Sequence, residues 1–456
     1  MRILALFMLV GLTGLTPVAK ADTAEIARLR AENAALRAEV LRLRSAPQSC
    51  ASLAETETAL AGALRKLGRE RAALDLARLH APGGPGPLPP ELLSARVPGQ
   101  YIVELAQAGL ASPSDLEQGF GLPVGSVLHV YGRVLNGFSV RGSPDLAARL
   151  DNDPRVVRVA QDGFIFPAQV SAPALASGPP EDTAFRPEVT VWVFDSGIRA
   201  THDLVAGRTA PGFTSIRNGI GTEDCNGHGT HIAAMIGGHR IGRTDRAELV
   251  SVKVMDRDNY GTVSTFLAGV EWVLNQPRRL ELANLSLTRL EPDPPQTAWL
   301  DRGTEALIAA GIPVVTAAGN AGMDAALFSP ARVAGAITVG AYEGNRIADY
   351  SNAGQAVAFY AEGRSRSADL SSLCALRDST GTSNAAAHVS GIIAGLLADG
   401  TEVTNLRSVL KTIARPETTG AFAGEIERMV LADGLAVADF DEACDSVLSL
   451  PSPDAP

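Results

Sequence analysis

Between Val189 and Gly340 the chain carries five continuous apolar runs separated by stretches with helical spacing, and this alternation limits the fold more than any other feature. The runs are Val189–Phe194, Leu249–Val254, Leu282–Leu287, Pro313–Ala317 and Ala336–Gly340. Apolar runs without polar alternation read as strands buried on both faces, the signature of a parallel sheet covered by helices. The helical patterns between them, His228–Ile236, Val263–Asn275 and Thr304–Ala310, supply that cover. Only 5% of residues are aromatic while glycine numbers 45, which favours close-packed helices over an aromatic-rich β sandwich. An open α/β sheet presents its reactive groups where the strands end at their carboxyl edges. Asp195, Thr288 and Asn320 fall at such ends.

Upstream, the 456-residue chain changes character several times. Met1-Arg2, an apolar core from Ile3 to Leu15 and Ala19-Lys20-Ala21 read as a secretory signal over residues 1–21, with an uncleaved membrane anchor as the alternative. From Asp22 to Arg44, Ile26, Leu29, Asn33, Leu36, Val40 and Leu43 follow an a/d heptad register. Glu25, Glu32 and Glu39 stand opposite Arg30, Arg37 and Arg44 of a parallel partner, which predicts a coiled-coil homodimer through residues 22–44. Pro47 ends this helix, and Leu53, Leu60, Leu67 and Leu74 begin a second that extends the coil to residue 80 or folds back on it. A Gly/Pro-rich linker covers 81–98, and residues 99–168 alternate strand-like runs with a short helix, as a small α+β module does. Its strands are expected at Tyr101–Leu105, Val127–Tyr131, Gly137–Val140 and Val156–Ala160, with the helix at Asp145–Leu150. A second linker at 169–188 precedes the largest domain, 189–440, and a tail covers 441–456. The net charge of -10 excludes a phosphate-binding surface, so no nucleic-acid partner is expected. Cys50, Cys225, Cys374 and Cys444 allow three disulfide pairings between which spacing does not choose.

The chemistry-bearing residues are few. Asp195 closes VTVWVFDSG, His228 stands in CNGHGTH at a helix start, Asn320 closes AAGN, and Ser383 lies in the small-residue turn of GTSNAAAHVSG ahead of the buried run Ile392–Leu397. Covalent cleavage of a peptide bond needs a nucleophile, a base to take its proton, an acid to orient that base, and donors for the developing oxyanion. Taken singly each is an ordinary turn or capping residue. Four together on one α/β domain, in the order Asp, His, Asn, Ser, point to catalysis.

The motifs VFDSGI, NGHGTHIA, NLSL, AAGN and GTSNAAAHVSG resemble those of subtilisin-type serine proteases, closest to the proteinase K branch. The resemblance implies Asp195, His228 and Ser383 as the catalytic triad, Asn320 as an oxyanion donor with the Ser383 N–H as a second, and Ser286, Leu287, Thr288 and Gly319 as substrate-binding residues. It implies a subtilisin-like parallel sheet with helices on both faces. Residues 99–168, with GQYIVEL, NGFSV and VVRVAQDG, resemble the inhibitory propeptide of the same proteases. A secreted serine endopeptidase made as a zymogen follows, with polypeptide substrates, its own propeptide as inhibitor, and self-cleavage between Phe166 and Pro180. No cofactor or metal is expected: relatives hold calcium with an Asp where this chain has Ala358, and Asp256-Arg257-Asp258-Asn259 reads as an acidic turn. His231 and His388 lie beside matched positions and are assigned structural roles. Departures from the pattern are Asn384 for the usual Met, Ala387 for the usual Pro, and Thr288-Arg289 for the usual Gly-Gly. The side chains of Thr288 and Arg289 are expected either to narrow the cleft or, through Arg289, to favour acidic substrate residues near the scissile bond. Cys225 resembles a disulfide cysteine whose partner position here holds Arg257, leaving it free or differently paired. The competing reading from these departures is a weakly active or inactive scaffold on the same fold, oligomerised by the coiled coil.

Overall fold

A computed structural model describes residues 90–417 apart from 108–111, 169, 172–184, 186, 292, 295–297 and 345, together with 428–430. The expected signal segment, coiled coil, second leucine helix, most of the first linker and the tail lie outside the described residues. All described residues except Arg217–Gly221 belong to one compact unit. Within that separate loop the Ile220 N–H donates to the Asn218 side-chain oxygen at 3.3 Å.

A short helix, α1 (Pro90–Leu93), leads into the first module, whose strands are β1 (Arg96–Leu105), β2 (Val127–Tyr131), β3 (Gly137–Arg141) and β4 (Val156–Pro167). They pair antiparallel in the order β4-β1-β3-β2, with α2 (Pro113–Gly119) and α3 (Pro144–Asp151) alongside. Helix α2 was not expected from its apolar spacing; a capping box starts it, Ser112 Oγ accepting from the Asp115 N–H while the Asp115 carboxylate accepts from the Ser112 N–H. Tyr101, Val103, Phe138, Val140 and Leu150 form the module's own core. The opposite face carries Ile102, Tyr131 and Ile165 into the core of the larger domain.

That domain is built on β6 (Val189–Asp195), β7 (Thr209–Thr214), β8 (Ala247–Lys253), β10 (Glu281–Leu285), β12 (Val314–Ala317), β14 (Ile337–Glu343) and β16 (Phe359–Glu362). They form the parallel run β16-β14-β12-β10-β6-β8-β7. Period-two alternation puts Val191 and Val193 on one face, against α4 (His228–Gly237) and the helix Thr382–Ala398. Trp192 and Phe194 go to the other, against α5 (Val263–Leu274) and α6 (Trp299–Ala309). The expected α/β sheet with helices on both faces is therefore present, preceded by the α+β module.

Two expectations are revised. The run Leu282–Leu287 is not one strand, because the chain bends at Ser286 and resumes as β11 (Leu287–Leu290), which leaves the parallel sheet to pair with β4. The helix expected from Thr304 begins at Trp299, its first turn carrying Asp301 on the buried side. Shorter strands line the edge above the sheet: β5 (Val170–Ser171), β9 (Gly261–Thr262), β13 (Phe328–Ser329), β15 (Arg346–Ile347), β17 (Arg364–Ala368) and β18 (Leu376–Thr380). The long helix Thr382–Ala398 is α7, and α8 (Leu406–Ile413) buries Leu406 and Leu410 in the same core.

Candidate active site

Asp195 is the last residue of β6 and His228 the first of α4, so both stand at the carboxyl edge of the sheet. His228 Nδ1 lies 2.7 Å from Asp195 Oδ1, and both side chains are buried. A carboxylate only accepts, so Nδ1 carries the proton and Nε2 presents a lone pair. His228 Nε2 is itself buried and makes no hydrogen bond. Close approach of the two segments depends on Gly229, where a Cβ would fall 2.1 Å from the Gly197 carbonyl and 3.1 Å from Asp195 Cβ. The preceding turn is organised by Asp224, which the sequence reading did not single out. Its buried carboxylate accepts from the Asn226, Gly227 and Thr230 N–H groups and from the Ser196 and Thr230 hydroxyls. An Asp among turn residues carries no local signal that it is buried.

Ser383 sits in the first turn of α7, behind Gly381 at the N-cap. Its hydroxyl donates to the Ser286 carbonyl at 3.2 Å rather than to His228. Asn320 Oδ1 accepts from both the backbone and the hydroxyl of Thr382, at 3.0 and 2.9 Å, and the Gly319 N–H completes the link by donating to that hydroxyl. Two donors on Oδ1 fix the amide orientation and leave Asn320 Nδ2 buried without a partner. A buried donor with no acceptor is costly unless something reacts there. Gly319 has φ +102° and a Cβ there would fall 2.4 Å from the Asn352 amide. Asn352, also missed from sequence, holds this loop by donating to the Ala318 carbonyl and accepting from the Ala321 and Met323 N–H groups.

The chain itself runs through this site. Strand β4 continues past its expected end at Ala160, and its last residues lie between β9 and β11. Phe164 and Ile165 pair with Thr262 and Gly261, while Phe166 and Pro167 pair with Thr288 and Leu287. The Ala168 N–H donates to the Ser286 carbonyl at 3.3 Å, and the Ser383 N–H donates to the Ala168 carbonyl at 2.9 Å. Beyond Ala168, Val170 and Ser171 of β5 pair antiparallel with Thr380 and Ser379 of β18. Ser286, Leu287 and Thr288 thus meet the chain that occupies the cleft, and Gly319 lies beside Thr288, whose hydroxyl would stand 3.2 Å from a Cβ placed there.

The remaining candidates separate cleanly. His231 is buried with Nδ1 at the Ala368 carbonyl and Nε2 at the Ser379 hydroxyl, and His388 accepts from Arg243 Nε at 2.8 Å. Burial holds both imidazoles well below the usual range, so both are neutral structural groups. Asn384 donates to Ser379 Oγ and to the carbonyls of Ser379 and Gly363, tying α7 to β18. Ala387 is fully buried against the sheet. The expectation for Arg289 is overturned. Its guanidinium is buried against Glu291 and three backbone carbonyls, so its charge is already met. Cys225 and Cys374 are both disulfide-bonded, which removes the free thiol considered beside the base.

The subtilase family model matches residues 186–429, and the model for the peptidase inhibitor I9 module matches residues 100–166. The chain is 34% identical to an extracellular serine proteinase of Thermus sp. (strain Rt41A), over 65% of this chain and 80% of the relative. It is 29% identical to the alkaline serine exoprotease A of Vibrio alginolyticus, over 73% and 68%. A crystal structure of a cold adapted subtilisin-like serine proteinase is similar at 30% identity and a TM-score of 0.49, covering 56% of this chain and 96% of that one.

Proposed function

The chain belongs to the subtilase family and is a serine endopeptidase with an I9-type propeptide; on that premise we propose that it is a zymogen that cleaves itself after Ala168, with Ser383 as nucleophile. The reading rests on one observation, the Ala168 carbonyl accepting from the Ser383 N–H at 2.9 Å while extended chain is paired on both sides of it. In the reaction, Ser383 Oγ leaves the Ser286 carbonyl and attacks the Ala168 carbonyl carbon. Its proton passes to His228 Nε2, and Asp195 stabilises the imidazolium through Nδ1. The oxyanion takes the Ser383 N–H and Asn320 Nδ2, the one donor already engaged and the other buried and waiting. Collapse breaks the Ala168–Gln169 bond, His228 protonates the departing Gln169 amine, and an Ala168–Ser383 ester remains for water to hydrolyse.

The small, fully buried Ala168 supports a preference for small residues on the acyl side of the cut. Motifs VFDSGI and NGHGTHIA favour the proteinase K branch. The signal-like residues 1–21 and the extracellular relative from Thermus favour secretion. The heptads of residues 22–44 favour a parallel dimer of the zymogen, which light scattering before and after processing tests. The domain boundaries read from sequence, 99–168 for the propeptide and 189–440 for the peptidase, agree with a cut after Ala168.

A fluorophosphonate probe tests the chemistry. The full chain should label and should yield a product beginning at Gln169, and Ser383→Ala should do neither, with turnover lower by about 10⁶, a magnitude known from subtilisin itself rather than derived from this geometry. Absence of Ser383-dependent labelling would leave the fold as a scaffold.

A further inference from the structure

Arg289 occupies a position for which the protease chemistry has no use. It lies on β11, the strand that pairs with the acyl side of the occupied cleft, and its side chain is fully buried. Guanidinium Nη1 donates to the Phe164 carbonyl at 3.0 Å and to the Ala95 carbonyl at 2.8 Å, Nη2 to the Ser94 carbonyl at 2.9 Å, and Nε to Glu291 Oε2 at 3.2 Å. Counting back from the bond after Ala168, Phe164 is the fifth residue. The sixth is Gly163, where a Cβ would fall 2.6 Å from both the Arg289 Cζ and Nη1 atoms. No positive φ accompanies this glycine, so it serves the space above the guanidinium and not a turn. Glu291 supplies the countercharge, and Arg96, salt-bridged to Asp293 at 2.6 Å, stands 4.0 Å from Glu291.

We infer that Arg289 is a specificity-determining residue that reads the backbone of an extended substrate, binding the carbonyl of the fifth residue before the cut and favouring glycine at the sixth. The inference rests on the cleavage reading above. A planar guanidinium with its charge met by Glu291 recognises carbonyl oxygens without selecting for an acidic side chain. The Ser94 and Ala95 carbonyls make the chain's own propeptide the best ligand, since a separate peptide lacks them. The carbonyl contact lies far from the reacting bond, so its binding energy can appear in kcat as well as KM.

The test uses the full-length chain after it has processed and its propeptide has dissociated, with p-nitroanilide substrates. Acetyl-Phe-Pro-Ala ends before the fifth carbonyl, acetyl-Gly-Phe-Ile-Phe-Pro-Ala supplies it, and acetyl-Val-Phe-Ile-Phe-Pro-Ala adds a Cβ at the sixth residue. The ratio of kcat/KM for the glycine hexapeptide to that for the tripeptide should fall about tenfold in Arg289→Gly, the usual worth of one hydrogen bond to a charged group. Arg289→Lys should fall between. In the unaltered enzyme valine should be cleaved several-fold more slowly than glycine, a difference that shrinks in Arg289→Gly. Ratios are taken within each variant, so a general loss of activity cancels, and the glycine–valine comparison needs no variant. Equal ratios in enzyme and variants, or equal cleavage of the glycine and valine hexapeptides, would overturn the inference. Cleavage of the tripeptide that disappears in Ser383→Ala reports separately on the protease reading.

Discussion

The two flanks of the Ala168 carbonyl are held in unlike ways. On the acyl side, Phe164 and Ile165 pair with β9 and Phe166 and Pro167 with β11, and Ile165, Phe166 and Ala168 are buried. Phe166 meets Tyr260 edge-on at 5.4 Å between ring centroids, and the module behind it is fastened separately. Glu271 of α5 accepts from the Arg133 and Val134 N–H groups, and the buried Asp162 accepts from the Ser264 N–H and from Gln100. On the leaving side, among the described residues, β5 pairs with β18 alone, over two residues. The difference predicts unlike fates for the two products of the proposed cut. The new amino terminus is expected to be held through β18, and the inhibitor through β9, β11 and its own docking face, so that it stays bound after the bond is broken.

Predictions that separate chemistry from hold test this asymmetry. The largest effect among them belongs to Asn320→Ala, which removes the proposed oxyanion donor while its own hydrogen bonds go to Thr382 and not to either flank. The rate of processing should drop about 10²–10³-fold, again a magnitude known from subtilisin, with inhibitor affinity unchanged. Loss of both together, measured by gel time course and by inhibition after processing, would mean that Asn320 shapes the cleft and not the transition state. Ile165→Ala acts the other way. Truncating a fully buried isoleucine in a packed core costs roughly 2–4 kcal/mol, so the processed propeptide should leave at least about 30-fold faster. Appearance of activity after processing follows this directly, and an unchanged lag would show that the acyl flank does not govern release.

Much of this was legible in the sequence, for a physical reason. Residues that end buried strands at a functional edge must be followed by tight turns, so Asp195, Asn320 and the His228 turn announce themselves through glycine and small polar neighbours. Strand β2 was placed to the residue, because Val127–Tyr131 is short and bounded by turn formers. Strand β4 was cut short at Ala160 because Gln161-Asp162-Gly163 has the composition of a turn. It continues because β1 pairs with Gln161 and Gly163, and because β9 and β11, remote in sequence, then take up residues 164–167. Strand β17 was missed because its inward positions are Ser365 and Ser367, small and polar, alternating with Arg364 and Arg366. Arg289 was misjudged for the same kind of reason. Its partners are backbone carbonyls, which leave no mark on side-chain pattern, and a glutamate two residues away that reads as solvent-facing.

The acyl-side wall has a buried titratable support, and it yields the smallest of these effects. Strand β9 follows the turn of Asp256, whose Oδ1 accepts from the Asp258 and Tyr260 N–H groups at 2.9 and 3.1 Å. Burial first, and then the Asp258 charge, push the Asp256 carboxyl up from 3.8 to about 6. Lys253, a cation that feels the Asp256 charge, is itself buried and donates to the Glu223 carbonyl. A carboxyl raised in the folded state binds its proton more tightly there than in the unfolded chain. Near pH 4 both states are protonated and the group costs nothing. Stability then falls as pH rises from about 4 through 6, and the deficit is complete above that window. At about 1.4 kcal/mol per pKa unit the deficit is on the order of 2–3 kcal/mol. Asp256→Asn keeps the Oδ1 acceptor and discards the charge. In a Ser383→Ala background, which prevents self-digestion, the variant should melt with its parent near pH 4 and roughly 5 °C above it at pH 8. Hydrogen exchange at Gly261 and Thr262 should slow in step. A variant that melts below its parent at pH 8 would mean that the charge of Asp256 holds the turn together, and that the acyl-side wall is firmest when that carboxylate is ionised.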